Sequence, residues 1–186
     1  MARIPAVPEE QAGVLGGLAY RLARRWYGQV PEPLGVMRHH PRLFWAGSVA
    51  DVVTMRATTV LPKRLRELAV YRTATVVGCS WCVDFGTMLQ RLDGLDVDRL
   101  QHIDDYAESP LFTAVERLAI AYADSMTGQP MAVTDDQVKK LERELGRAGL
   151  VELTYVIAVE NERARFNHAL GITDQGFDAA CRVSRG

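Results

Sequence analysis

The sequence is poor in cysteine, poor in aromatic residues and close to electrically neutral. It holds three cysteines in 186 residues, two of them as Cys79-Ser-Trp-Cys82 and the third at Cys181. An odd, sparse set of this kind excludes the disulfide framework of a small secreted domain. The formal charge is -1, from 22 lysines and arginines against 23 acidic residues, and aromatics make up 8%. Without a basic stripe interleaved with aromatics, a nucleic-acid surface is not expected. The two local groups of cations, Arg21, Arg24 and Arg25, then Arg38, His39, His40 and Arg42, read as solvated helix faces. No run approaches the roughly 18 apolar residues that a membrane-spanning helix needs. The apolar stretch Ala12 to Tyr20 follows Glu9 and Glu10 and precedes arginines, the reverse of a secretory signal. The expectation is a cytoplasmic protein without a membrane or nucleic-acid partner. In that compartment a CxxC is more often catalytic or metal-binding than a structural bridge.

Strand signals, repeats, low-complexity tracts and long linkers are lacking too. What remains is helical periodicity, which predicts an all-α bundle of about eight or nine helices in one domain spanning 1–186. An N-terminal helix is expected over about 9–27, ended by Gly28 and the Pro31/Pro33 pair, with a loop over Gly35 to Pro41 after it. A core region over about 43–91 holds three more helices. They run from Leu43 to Ala57, from Pro62 to a stop at Gly78, and from Cys79 to Arg91. A short helix follows near Val97 to Tyr106. The C-terminal half, about 110–182, opens at Ser109-Pro110. It then uses Thr134 and Gln137 as a capping box, runs a long helix from Leu150 to Leu170, and could cap a last helix with Thr173.

The paired cysteines are the strongest chemical signal. With Cys79 directly after a helix stop and Cys82 in the first turn of the next helix, free N–H groups and the positive end of the dipole favour a thiolate. A cysteine so placed is expected to be reactive, and the spacing lets the sulfurs close a disulfide across one turn. The competing readings are half of a zinc site, completed from Cys181, His102, His168 or His39/His40, and a pair of inert buried thiols. None of those candidates forms a second CxxC or a spaced histidine pair, so no metal and no other cofactor is expected.

The stretch Arg64 to Gly86, RLRELAVYRTATVVGCSWCVDFG, resembles the core motif of the carboxymuconolactone decarboxylase family, in its CxxC-bearing AhpD-like (alkyl hydroperoxidase D-like) branch. The segments LFTAVERLAIAYADSMTGQPMAVTDD and LVELTYVIAVENERARFNHALGI resemble the trailing helices of the same family, so the likeness covers about Phe44 to Phe177. It implies a helical homo-oligomer, trimeric or hexameric, that reduces hydroperoxides and is restored by a thiol or dithiol electron donor. Carried over by position, Cys82 would attack the peroxide, Cys79 would resolve the sulfenic acid, and Glu67 would relay protons.

The family histidine four residues after the second cysteine is replaced here by Gly86. Tyr71, His168 or a water could take its place. Asp84 is read as a carboxylate suited to its own helix start, Trp81 as packing or pocket wall, and Cys181 as a bystander. Glu67, just after Arg64 and Arg66, could equally be a surface ion-pair partner. Glu160, Asn161, Arg163 and Arg165 make the last long helix too polar for full burial, so they would face solvent, a neighbouring subunit or the thiol pocket. Two other functions fit the sequence: a non-enzymatic oligomer whose disulfide controls assembly, and an enzyme acting on a small lactone acid.

Overall fold

The computed structural model describes residues 2–179, so Cys181 lies outside the described residues. The chain there is helical with no strand. In order the helices are α1 (Gly13–Tyr27), α2 (Glu32–Met37), α3 (Pro41–Ala57), α4 (Lys63–Val77), α5 (Ser80–Leu92), α6 (Ala114–Thr127) and α7 (Asp135–Ala169). Short 3-10 segments occupy Glu9–Gln11 and Asp98–Asp105.

α4 is the central helix. Leu65, Leu68, Ala69, Thr73 and Ala74 recur at helical spacing and are all buried. Leu65 and Ala69 pack with Ala119, Tyr122 and Ala123 of α6 and with Leu153 and Ile157 of α7. Leu68 packs with Leu100, Ile103 and Phe112 in a second cluster. Fully burying each such aliphatic side chain contributes about 1.5–3 kcal/mol, which is what holds these helices against one another.

Several expected boundaries move. The N-terminal helix begins at Gly13 rather than at residue 9, because Gly13 takes φ +70° and separates it from a 3-10 turn. The expected loop over Gly35 to Pro41 is largely α2, with a proline in its first turn where no N–H is required. α6 opens on a capping box between Thr113 and Glu116, four residues after the expected Ser109-Pro110 entry. The Thr134–Gln137 box is present as expected. α7 bends at Gly146 (φ +68°), so a segment over 135–145 leads into a longer one over 147–169. His40, a zinc candidate in the sequence, caps α3 by accepting the N–H of Leu43 at 3.2 Å.

The last helix does not start at Thr173. Helical structure resumes at Phe177, and the cap comes from far away in sequence. The Asp84 carboxylate accepts the N–H groups of Gln175, Phe177 and Asp178 at 3.0, 3.0 and 2.9 Å. Asp84 therefore serves the start of a different helix from the one it sits on, which corrects the local reading of this residue. It pins the segment after α7 against α5, over the thiol pair.

Candidate active site

Gly78 ends α4 with φ +77°, a conformation that costs glycine little because it has no Cβ. Cys79 is then the N-cap of α5, and its Sγ accepts the N–H of Cys82 at 3.2 Å. The expected placement of the pair at a helix start is thus realised. Cys79 and Cys82 are joined as a disulfide with Cα atoms 5.3 Å apart.

The sulfurs are covered. Cys79 is 1% exposed and Cys82 8%, within an apolar cluster that includes Val36, Trp81, Met88, Ala164, Ile172 and Phe177. Trp81 stacks on Phe85 at 4.7 Å between ring centroids, and its Nε1 donates to Gln175 Oε1 at 2.7 Å. Trp81 is therefore a packing residue that also anchors the C-terminal segment. The polar contact to the sulfurs comes from α7. Asn167, 3% exposed, donates its side-chain amide to Cys82 Sγ at 3.4 Å and to Cys79 Sγ at 3.8 Å.

Asn167 ends the ENERARFN stretch but was not singled out in the sequence. The signal was there: Leu153, Ile157, Glu160, Ala164 and Asn167 alternate by four and three residues, so the asparagine falls on the core-facing stripe. Asn161, Arg163 and Arg165 lie off this stripe. Asn161 donates to Thr127 Oγ1 at 3.0 Å, Arg165 to the Thr127 carbonyl at 3.2 Å, and Arg163 pairs with Asp51 of α3.

Glu67 makes no hydrogen bond to either sulfur. It lies eleven residues before Gly78 on α4, about 16 Å along the axis at 1.5 Å per residue. Its carboxylate accepts from Arg66 Nε at 3.3 Å. Burial pushes its pKa up, while Arg66 and Lys63 pull it down. Tyr71 is half-buried, with its hydroxyl toward Thr87 on α5, one residue past Gly86. Burial raises the Tyr71 pKa as well. At Gly86 an added Cβ would meet nothing within 4 Å, so the position of the family histidine is open space.

His168 is exposed, with Nδ1 3.3 Å from the Gly78 carbonyl oxygen. It borders a cavity of about 520 Å³ lined by Val76, Val77, Thr127, Arg165, His168 and Ala169, among others. Neither cysteine lines this cavity, although its walls adjoin Gly78 and Asn167 in the chain. Among the described residues no helix is long and apolar enough to cross a membrane.

The chain matches the model of the carboxymuconolactone decarboxylase family over residues 48–125. It is 32% identical over 183 residues to the uncharacterized protein YnjA of Escherichia coli, covering 98% of this chain and 94% of that protein. Its fold is similar to that of the debrominase Bmp8, solved as a cysteine-to-alanine variant in complex with 2,3,4-tribromopyrrole. That match has a TM-score of 0.81 at 16% identity, covering 98% and 97% of the two chains. An alkylhydroperoxidase AhpD core protein from Ralstonia eutropha, described as peroxidase-related, gives a TM-score of 0.80 at 18% identity over 95% and 94%. With its helical bundle and its Cys79–Cys82 pair, the chain belongs to the carboxymuconolactone decarboxylase family, in the AhpD-like branch that carries a CxxC.

Proposed function

We propose that this protein is a thiol-dependent peroxidase that reduces organic hydroperoxides through Cys82 and Cys79. The observation that carries the reading is the bonded cysteine pair at the start of α5, with the Asn167 amide directed at both sulfurs. In the dithiol form, the Cys82 thiolate attacks the terminal peroxide oxygen and the O–O bond breaks. The departing alkoxide takes a proton and leaves as an alcohol, while Cys82 becomes a sulfenic acid. The Cys79 thiol then attacks that sulfur, water is released and the disulfide forms. An external dithiol returns two electrons and two protons. Glu67 is assigned the proton transfer, acting through water, since no direct contact links it to the sulfurs.

The test is stoichiometric. Reduced protein mixed with cumene hydroperoxide is expected to lose two thiols for each peroxide consumed and to recover both with a dithiol. Unchanged thiols in the presence of excess peroxide would refute the reading. A parallel mixture with a brominated pyrrole separates it from reductive debromination, which would release bromide and spend the same two thiols. Turnover of a lactone acid by a thiol-blocked protein would favour the decarboxylase type of activity.

The open space at Gly86 leads to a second expectation. Gly86→His is expected to raise kcat/KM for peroxide by roughly tenfold or more, by restoring an acid–base group between carboxylate and thiol. It should also stabilise α5 by a few tenths of a kcal/mol, because glycine is the poorer helix former. A folded variant without any gain would show that the histidine is not what limits this chain.

The protein is also proposed to act as a homo-oligomer, a trimer or hexamer. Leu15, Leu18, Leu22 and Trp26 form an exposed apolar face on α1. On α3 only Phe44 is buried, while Leu43, Val49, Val53 and Met55 are exposed. Apolar area on this scale marks an interface. Sedimentation velocity is expected to show an assembly that Leu18→Glu with Val53→Glu breaks up; a monomeric wild type would contradict it.

A further inference from the structure

The segment that follows α7 crosses the disulfide as a strap. Its side chains Ile172 and Phe177, 3% and 1% exposed, sit in the apolar cluster of Cys79 and Cys82. Phe177 meets the rings of Trp81 and Phe85 edge-on, at 6.1 and 5.1 Å between centroids. The other buried walls of that cluster stand on helices of the bundle: Val36 on α2, Ala74 on α4, Trp81 and Met88 on α5, and Ala164 on α7. The strap is therefore the wall that can lift without unpacking a helix.

What holds the strap down is mostly polar. The Asp84 carboxylate of α5 accepts its N–H groups at Gln175, Phe177 and Asp178. Arg91 Nε donates to Asp178 Oδ1 at 2.9 Å. Gln175 Oε1 accepts from Trp81 Nε1 and from the Glu32 N–H, both at 2.7 Å, and Gln175 Nε2 donates to the Val30 carbonyl at 3.2 Å. Gln29 Nε2 donates to the Gln175 carbonyl at 3.1 Å. These bonds are part-buried, and water can replace each of them at modest net cost when the segment opens. The root is fixed separately, because the Arg3 N–H and Nη1 donate to the carbonyls of Leu170 and Ala169 at 2.7 and 2.6 Å. Gly171 (φ +64°) follows that anchor and Gly176 (φ +74°) lies just before Phe177, so two glycines bracket the segment as hinges.

The closed strap has a chemical consequence. Thiol–disulfide exchange needs a thiolate in contact with a disulfide sulfur and passes through a mixed disulfide. Cysteines exposed by 1% and 8% offer too little surface for that contact.

We infer that residues 171–178 form a gate over the Cys79–Cys82 disulfide, latched by the Asp84 carboxylate, and that an external dithiol reduces the pair when this strap lifts. With the strap raised, one thiolate of the dithiol attacks Cys82 Sγ, the more exposed of the two sulfurs. The Cys79–Cys82 bond breaks and Cys79 leaves as a thiolate. The second thiol of the reductant then displaces Cys82 from the mixed disulfide, and the reductant departs as its own disulfide. Two electrons and two protons have passed from the dithiol to the cysteines. Asp84 touches no reacting atom; it is a positioning residue that acts through the strap. The gate does not rest on the peroxidase reading, since it concerns access to the disulfide by any dithiol.

The test follows reduction of the oxidised protein by dithiothreitol, with free thiols counted by alkylation and mass spectrometry. Amide hydrogen exchange is measured on the same proteins. Asp84→Ala should be reduced about tenfold faster or more, because a charged acceptor of three N–H groups is lost. Amides of residues 172–178 should exchange faster in that variant, while those of α4 and α7 keep their wild-type protection. Gln175→Ala, which frees the strap from Trp81 and Glu32 and leaves α5 intact, should speed reduction severalfold. Asp84→Glu, which keeps the charge, should be reduced more slowly than Asp84→Ala. Reduction at the wild-type rate in an Asp84→Ala protein with a loosened strap would show that the sulfurs are reached by another route, and overturns the gate. Strap amides as protected in Asp84→Ala as in wild type would overturn the latch. Faster reduction accompanied in both variants by loss of protection in α4 and α7 would mean general unfolding, and overturns the gate as well. A protein that meets these expectations yet consumes no peroxide overturns the peroxidase reading alone.

Discussion

Cys82→Ser is expected to lower peroxide consumption by roughly a thousandfold or more, the scale seen when a catalytic nucleophile is removed. A serine hydroxyl does not ionise near neutral pH, so no group remains to attack the O–O bond. The fold should survive, because Cys79 supplies the cap of α5 and only the N–H of residue 82 is used in that contact. Cys79→Ser should behave differently. Its Cys82 can still attack once, consuming a single equivalent of peroxide and stopping at the sulfenic acid, which a dimedone-type reagent would trap. The two variants therefore separate attack from resolution. Wild-type peroxide consumption by Cys82→Ser would refute the assignment of roles.

Asn167→Leu should slow both alkylation of the reduced thiols and their attack on peroxide by about 10- to 100-fold at neutral pH. A hydrogen bond to a charged acceptor is worth about 1.5–3 kcal/mol, and each 1.4 kcal/mol is a factor of ten. The amide lies 3.4 Å from Cys82 Sγ and 3.8 Å from Cys79 Sγ, so the loss should be felt first at Cys82. Leucine is close in shape to asparagine and enters a cluster that is otherwise apolar, so the bundle should hold. Raising the pH should return most of the lost alkylation rate, since the thiolate is then formed by base rather than by the hydrogen bond. An alkylation rate equal to that of wild type would show that the amide has no part in making the thiolate.

Much of this site was written locally. The Gly78 stop, the Cys79 cap and the first-turn Cys82 depend only on neighbours within a few residues, and a helix start has the same free N–H groups whatever surrounds it. The same holds for α4, whose apolar spacing defines its buried face, and for the Thr134–Gln137 cap. Where local chemistry misled, a distant partner supplied what the nearby residues were expected to give. Thr173 is a good cap in isolation, yet Asp84 provides three acceptor contacts from 91 to 94 residues away.

The sequence by itself determined that the chain is helical, that it carries a vicinal dithiol at a helix start, and which face of each long helix is apolar. Tertiary structure alone decided which polar groups those faces bring together: Asn167 onto the sulfurs, and Asp84 onto the N–H groups of Gln175, Phe177 and Asp178. It also decided that the thiols lie under Trp81, Ile172 and Phe177 rather than at the surface. The reason is physical. Helix capping and periodicity act within a turn or two, whereas burial, carboxyl repulsion and sulfur solvation depend on which helices meet, and that is settled only when α4, α5 and α7 pack.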